Sequence, residues 1–332
     1  MPQTDVTALA ADLMKPVLPQ DLAPPPRFSD CSFDSYRVDP RFPGQDEAIA
    51  AVRQFAARKP RRFWRLGTRL RPGLYLAGDF GVGKTHLLAA AYHTAPGSRR
   101  WLGFAEAISA IIGLGPRLAT DLIAADLVCI DEFELDDPSN TRLADLLLAE
   151  LIRRGSRVLV TSNTVPGELG AGRFPVEDFK RQLQRIATRF ADVHVPGEDF
   201  RRQQRGAAID PTRWGPAAVP AIIRSDDLVL DAHMLDRLLA RVPVINLRRL
   251  AGMLRRLVVR DLTPFPDQFS ALRFVHLVDR LYDHRIPLHV QTSTPIDEIF
   301  LPDYRDWAFA KKYRRCTSRL HECCSGPREE AA

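Results

Sequence analysis

Short apolar runs alternate along the chain with stretches of helical spacing. Ile49, Val52, Phe55 and Ala56 recur at helical intervals, which predicts a helix over 45–57. Beyond it, apolar runs predict strands at 74–77, 101–104, 127–130, 158–161 and 193–195. Helical patterns at 84–92, 143–153 and 176–187 lie between them. Strands that are apolar throughout, interleaved with helices, predict an α/β fold with a parallel sheet covered on both faces.

The ends of the chain read differently. Residues 1–27 close on Pro24-Pro25-Pro26 and show no sustained period, so they are expected to form a flexible Pro-rich arm. A core of alternating strands and helices then spans 28–205. Prolines and glycines gather at 206–220 and mark a connection. The region 206–322 is expected to be mainly helical, with helices at 235–239, 247–258, 271–282 and 306–323. One strand is expected at 286–290, which Pro287 places at a sheet edge. Residues 323–332 read as a polar tail.

Composition narrows the classes. The chain has 332 residues, 45% hydrophobic and 27% charged, which excludes wholesale disorder. No apolar run approaches the ~18–20 residues that a membrane span needs. Neither a basic start followed by an apolar stretch nor an Arg-rich leader is visible, so a cytoplasmic protein is expected. Cys31, Cys129, Cys316, Cys323 and Cys324 are too few and too scattered for a disulfide framework. Cys316, His321, Cys323 and Cys324 match no standard zinc spacing and read as ordinary thiols. The net charge is +6, and from Arg53 to Arg71 there are eight basic residues and no acid. That run suits a phosphate backbone, an acidic partner or simply a solvated face.

Three motifs carry chemistry. Gly78-Asp79-Phe80-Gly81-Val82-Gly83-Lys84-Thr85 fits G-x-x-x-x-G-K-[ST] between a strand and a helix. Glycines there let backbone N–H groups turn in around a phosphate, and the helix N-terminus adds partial positive charge. Lys84 supplies a point charge for the β/γ oxygens of ATP, and the Thr85 hydroxyl can ligate Mg²⁺. Asp131 follows Lys84 by 47 residues and ends the apolar run 127–130. A carboxylate at that strand end would hold Mg²⁺ with Thr85, and Glu132 beside it would polarise the attacking water. Thr161-Ser162-Asn163 ends a further strand, and Asn163 is a candidate sensor of the γ-phosphate.

Together these elements resemble the AAA+ class of P-loop ATPases, a three-layer αβα fold followed by a mainly helical lid. The order Asp131-Glu132-Phe133, Asp137, the apolar helix 143–153, Thr161-Ser162-Asn163 and Pro166 is similar to the ZapE-type, or AFG-one-like, ATPases. Val193–Arg201 (VHVPGEDFR), Leu272–Leu288 (LRFVHLVDRLYDHRIPL) and Tyr313–Leu320 (YRRCTSRL) resemble later blocks of that family. The resemblance spans 28–322. It departs at Asn140, where the family commonly has Asp, and at 167–179, which lacks the usual Arg-x-x-Phe.

The resemblance implies an oligomeric ATPase that remodels a protein partner. Bacterial members are linked to the tubulin-like division protein FtsZ, and mitochondrial ones to respiratory-chain quality control. It also implies that a neighbouring subunit donates an arginine, for which Arg189 and Arg173 are the candidates. Gly78–Thr85 with His86 would bind the nucleotide, and Arg315 or Arg319 would approach it from the lid. An alternative is a nucleic-acid-associated ATPase of the helicase-loader or initiator type, since Gly83-Lys84-Thr85-His86-Leu87 occurs there too. Against it, no helix-turn-helix pattern is visible downstream. A nucleotide-binding scaffold without turnover has no need of Glu132.

Overall fold

The computed structural model describes residues 6–59, 70–135, 137–164, 177–198, 210–218, 220, 223–306 and 309–324. Its contacts divide the chain into two units, Leu18–Arg205 and Met1–Val17 with Gly206–Ala332. Helix α1 (Val6–Leu13) comes first in the chain and belongs to the latter.

The unit Leu18–Arg205 runs α2 (Gly44–Ala56), β1 (Gly73–Ala77), α3 (Lys84–Thr94), β2 (Arg99–Gly103), α4 (Phe104–Ile123), β3 (Leu127–Asp131), α5 (Pro138–Arg153), β4 (Arg157–Ser162), α6 (Glu177–Ala187) and β5 (Phe190–His194). The five strands form one parallel sheet in the order β2-β3-β4-β1-β5. Every residue of β1 and β4 is buried, as strands covered on both faces require. Leu74, Leu76, Cys129 and Leu159 pack on α2 and α3. On the alternate face Tyr75, Phe104, Phe133 and Phe190 meet edge-on or tilted, with ring centroids 4.9–6.3 Å apart. Asp137 caps α5 by accepting from the Asn140 N–H at 2.8 Å, with Pro138 in the first helical position.

Helix α4 was not anticipated from the pattern. Gly113, Gly115 and Pro116 interrupt it, and Gly115 sits at φ +80, so two helical pieces meet at a kink. Between β2 and β3 the expected crossover is therefore helical, though its sequence reads as broken.

The other unit is mostly helical, and it also contains a small parallel sheet. Strands β6 (Trp214–Gly215), β7 (Asp227–Asp231), β8 (Arg256–Arg260) and β9 (Leu288–Gln291) lie in the order β6-β9-β8-β7. Helices α7 (Ala232–Arg241), α8 (Leu247–Met253), α9 (Gln268–Asp283), α10 (Pro302–Arg305) and α11 (Ala310–Cys324) complete it. The single helix expected at 247–258 is instead α8 followed by β8. Leu254 turns extended between them, and Leu257, Val258 and Val259 are fully buried. A short apolar run of this kind has no period to tell strand from helix. The strand expected at an edge, β9, is paired on both sides, because Pro287 precedes its first residue instead of interrupting it.

The arm expected at 1–27 is also corrected. Val6, Ala10 and Leu13 form a buried stripe of α1 that packs on α7 and α8. Asn246 donates to the Leu13 carbonyl at 2.7 Å, and Arg249 donates to those of Lys15 at 2.7 Å and Pro16 at 3.0 Å. These bonds satisfy carbonyls at and just beyond the end of α1. In the first unit, the Leu22 carbonyl accepts from the Trp101 N–H at 2.9 Å. The helical period of α1 is eight residues long, and the proline run beyond it masked the signal.

In the core of this second unit Asp279 of α9 is 2% exposed and accepts from Arg315 at 2.9 Å and from Arg319, both on α11. Burial pushes the Asp279 carboxyl up, the two guanidiniums pull it down, and the net is a pKa well below the usual range. Asp279→Ala removes the buried carboxylate that Arg315 and Arg319 share and is expected to cost about 3–5 kcal/mol, read by urea unfolding of this unit. Because the folded pKa is lowered, the contribution is full above the unfolded value, about 3.9, and is lost as pH falls through the folded one.

Candidate nucleotide site

The site is assembled at the carboxyl end of the five-stranded sheet. Strand β1 ends at Ala77, whose carbonyl accepts from the Val195 N–H at 2.7 Å. The chain then turns through 78–83 and enters α3 at Lys84. Gly83 is at φ +91, and a Cβ there would stand 2.6 Å from the Tyr36 ring, so only glycine fits. A Cβ on Gly78 would meet the Val195 carbonyl oxygen at 2.4 Å. Asp79 is exposed, Phe80 and Gly81 are half-buried, and Val82 is buried. The first N–H groups of α3 have no intrahelical partners and carry the positive end of its dipole.

Lys84 is 7% exposed. Its Nζ donates to the carbonyls of Gly78 at 2.8 Å and Asp79 at 2.6 Å, and to Asn163 Oδ1 at 2.9 Å. An ammonium has three N–H donors, and these three acceptors match them in number. The strand order explains the meeting. Strand β4 lies between β1 and β3, so its end carries Asn163 to Lys84.

One residue on, the Thr85 hydroxyl donates to Asp131 Oδ1 at 3.2 Å. The Thr161 hydroxyl donates to the same oxygen and accepts from the Glu132 N–H at 3.0 Å. Thr161 therefore ties both acids to the end of β4. Glu132 sits in the left-handed region at φ +55, a conformation that costs a non-glycine residue about 1–2 kcal/mol. The Thr161 bond and the Phe133 N–H to Thr161 carbonyl bond at 2.7 Å flank that turn and hold it.

Sequence reasoning missed two groups of residues. Glu134 is buried, and its Oε1 accepts from Asn163 Nδ2 at 3.1 Å. Its only signal is its place in Asp-Glu-Phe-Glu. The second group is a strap before α2. Tyr36 donates to the Val82 carbonyl at 2.7 Å, and its ring lies edge-on to His86 at 5.4 Å. His86 Nε2 lies 2.8 Å from the Ser32 carbonyl and 3.1 Å from Ser35 Oγ. His86 thus ties α3 to the strap. Burial pushes the Tyr36 phenol up to about 12, so it stays a donor at neutral pH.

Arg189 and Arg173 were expected to act on a neighbouring subunit's site, and Arg315 or Arg319 on this one. Arg189 Nη1 is 2.5 Å from Asp145 of α5, and Arg185 is 3.4 Å from the same carboxylate. Arg189 precedes β5, whose first residue pairs with Gly73, so it lies at the end of the sheet opposite the loop. The five residues of β1 separate the two ends by ~16 Å. Arg173 lies outside the described residues. Arg315 and Arg319 are buried in the core of their own unit, where both pair with the Asp279 carboxylate. Within that unit the polar tips of both arginines point inward to the acid.

A glycine-cradled loop at a helix N-terminus, its lysine, and a strand-end acid one strand removed define a P-loop ATPase of the AAA+ class. The chain belongs to the AFG1-like ATPase family, which it matches over residues 14–213 and 248–328. It is 27% identical over 300 residues to the cell division protein ZapE of Escherichia coli strain K12, covering 75% of this chain and 77% of that one. It is also 28% identical over 282 residues to the chromosomal replication initiator protein DnaA of Sphingopyxis alaskensis, covering 79% of this chain and 55% of that one. Among solved structures, DnaI is similar at 20% identity and a TM-score of 0.40, covering 55% of this chain and 98% of that one. Among the described residues, no helix is long and apolar enough to cross a membrane.

Thr161→Val removes the hydroxyl that joins Asp131 to the Glu132 backbone. Loss of a hydrogen bond to a charged group costs about 1.5–3 kcal/mol, so ATP turnover is expected to fall about tenfold or more. Steady-state kinetics check this, with thermal unfolding as the control for folding.

Proposed function

We propose that this ATPase binds ATP with Mg²⁺ at the loop 78–85 and couples hydrolysis to remodelling of a protein partner. The observation that carries the reading is the convergence of Lys84, Thr85, Asp131 and Asn163 at one end of the sheet. Lys84 exchanges the Gly78 and Asp79 carbonyls for β- and γ-phosphate oxygens, and the loop N–H groups and the start of α3 hold the rest of the phosphate chain. His86 anchors that helix to the strap.

The oxygens of Thr85 and Asp131 fit Mg²⁺. Neighbouring ligands of an octahedral ion with bonds of about 2.1 Å lie about 3 Å apart, and these two are 3.2 Å apart. Thr85 and Asp131 would hold the ion, which when bound offsets charge on the phosphates. Glu132 accepts a proton from the attacking water, and Asn163 orients that water or the γ-phosphate. A homo-oligomer supplies the remaining cation in trans, from Arg189 or Arg173, because a fixed guanidinium fork suits a phosphoryl group. Arg189 leaves Asp145 to do so.

The partner in this reading is a protein, with the division protein FtsZ as first candidate and the cytoplasm as the setting. Support comes from the resemblance to ZapE-type ATPases and from the division role in the name of the E. coli relative. A second reading, action at nucleic acid, is favoured by the likeness to the initiator DnaA over 79% of this chain. Stimulation of ATP turnover by FtsZ and not by DNA supports the first reading, and the reverse supports the second.

Lys84→Ala is expected to weaken ATP binding about tenfold or more, since a charge-assisted phosphate contact contributes about 1.5–3 kcal/mol. Glu132→Gln is expected to keep binding and lose turnover, as measured by calorimetry and phosphate release. Parent-like turnover in Lys84→Ala contradicts the assignment of the loop. Mixing Lys84→Ala with Arg189→Ala subunits is expected to restore activity absent from either alone. Full activity of a dilute monomer excludes the trans cation.

A further inference from the structure

The Asn163 amide stands between opposite charges. Its Oδ1 accepts from the Lys84 ammonium at 2.9 Å, and its Nδ2 donates to Glu134 Oε1 at 3.1 Å. An amide has one accepting end and one donating end, and rotating it by half a turn exchanges them. The rotated amide would set its NH₂ against an ammonium and its oxygen against a carboxylate. Both contacts would then be repulsive, in a site where Lys84 is 7% and Glu134 is 8% exposed and water screens little. Lys84 alone cannot keep this orientation during the reaction, because its ammonium is the group that moves to phosphate. Glu134 stays.

We propose that Glu134 is a positioning residue for hydrolysis. Its carboxylate holds the Asn163 amide with the carbonyl oxygen turned toward Lys84 and the reacting phosphate end of the site, whether or not Lys84 is bound to that oxygen. Asn163 then presents an acceptor, suited to the hydrogen of an attacking water, and its NH₂ remains on Glu134. Glu134 touches no reacting atom and acts through Asn163. The inference rests on the proposed nucleotide site.

The test is a double-mutant cycle on ATP turnover. Glu134→Met removes the acceptor and keeps the volume, whereas Glu134→Gln keeps an acceptor. Glu134→Met is expected to lower kcat about tenfold with KM changed less than about twofold, and Glu134→Gln to restore most of it. The double variant Glu134→Met with Asn163→Ala is expected to match Asn163→Ala alone, because a residue acting only through Asn163 has nothing left to position. A Glu134→Met protein with parent kcat, while Asn163→Ala is impaired, overturns the inference and leaves the site reading intact. Losses that multiply in the double variant overturn it as well. Parent turnover in Asn163→Ala overturns the role of Asn163 itself, and with it this inference. Should Glu134→Met not fold, exchange of the Asn163 Nδ2 protons in the parent decides. Slowed exchange supports the inference and exchange at the solvent rate overturns it.

Discussion

A buried ammonium is the constraint on which the nucleotide site depends. Lys84 is held by two loop carbonyls and one side-chain amide, and each fixes a different part of the structure. The carbonyls of Gly78 and Asp79 curl the loop back onto the start of α3. The amide of Asn163 joins that loop to the end of β4. Because β4 lies between β1 and β3, the same strand end also reaches Asp131 and Glu132 through Thr161. The loop, the Thr85 and Asp131 oxygens and Glu132 are thus linked by one strand terminus. A charge placed away from water must be matched by acceptors, and in the proposed ATP complex phosphate oxygens would take over that role from the carbonyls.

What was legible in the sequence is what depends on local spacing. The loop 78–85, Asp131 at a strand end and Asn163 at another were readable because each is a short pattern beside an apolar run. Strands β1, β3 and β4 were readable because burial on both faces leaves continuous apolar segments, whereas the half-buried edge strands β2 and β5 overlap the expected 101–104 and 193–195 only in part. Glu134 was not readable, since its meaning depends on an amide 29 residues away across the sheet. The strap contacts made by Tyr36 and received by His86 were hidden for the same reason, spanning 46 to 54 residues. Helix α4 was obscured by Gly115 and Pro116, and α1 by the prolines beyond it. In 247–258, apolar residues continue through a change from helix to strand, and composition does not mark the change.

The second unit follows different physics. Its helices close around a small parallel sheet, and Asp279 with Arg315 and Arg319 places a charge cluster where apolar packing alone would serve. A pairing of this kind favours one arrangement of α9 against α11, because any shift leaves buried charge unmatched. That accounts for the Val-Asp and Arg-x-x-Ser-Arg-Leu blocks as parts of one internal contact. The family match includes both blocks.

In the proposed ATP complex the Lys84 ammonium exchanges loop carbonyls for phosphate. The most direct measurement is a structure of the Glu132→Gln chain with ATP and Mg²⁺. Lys84 Nζ is expected on the β- and γ-phosphate oxygens, released from the Gly78 and Asp79 carbonyls. Nucleotide bound elsewhere, with Lys84 still on those two carbonyls, would contradict it.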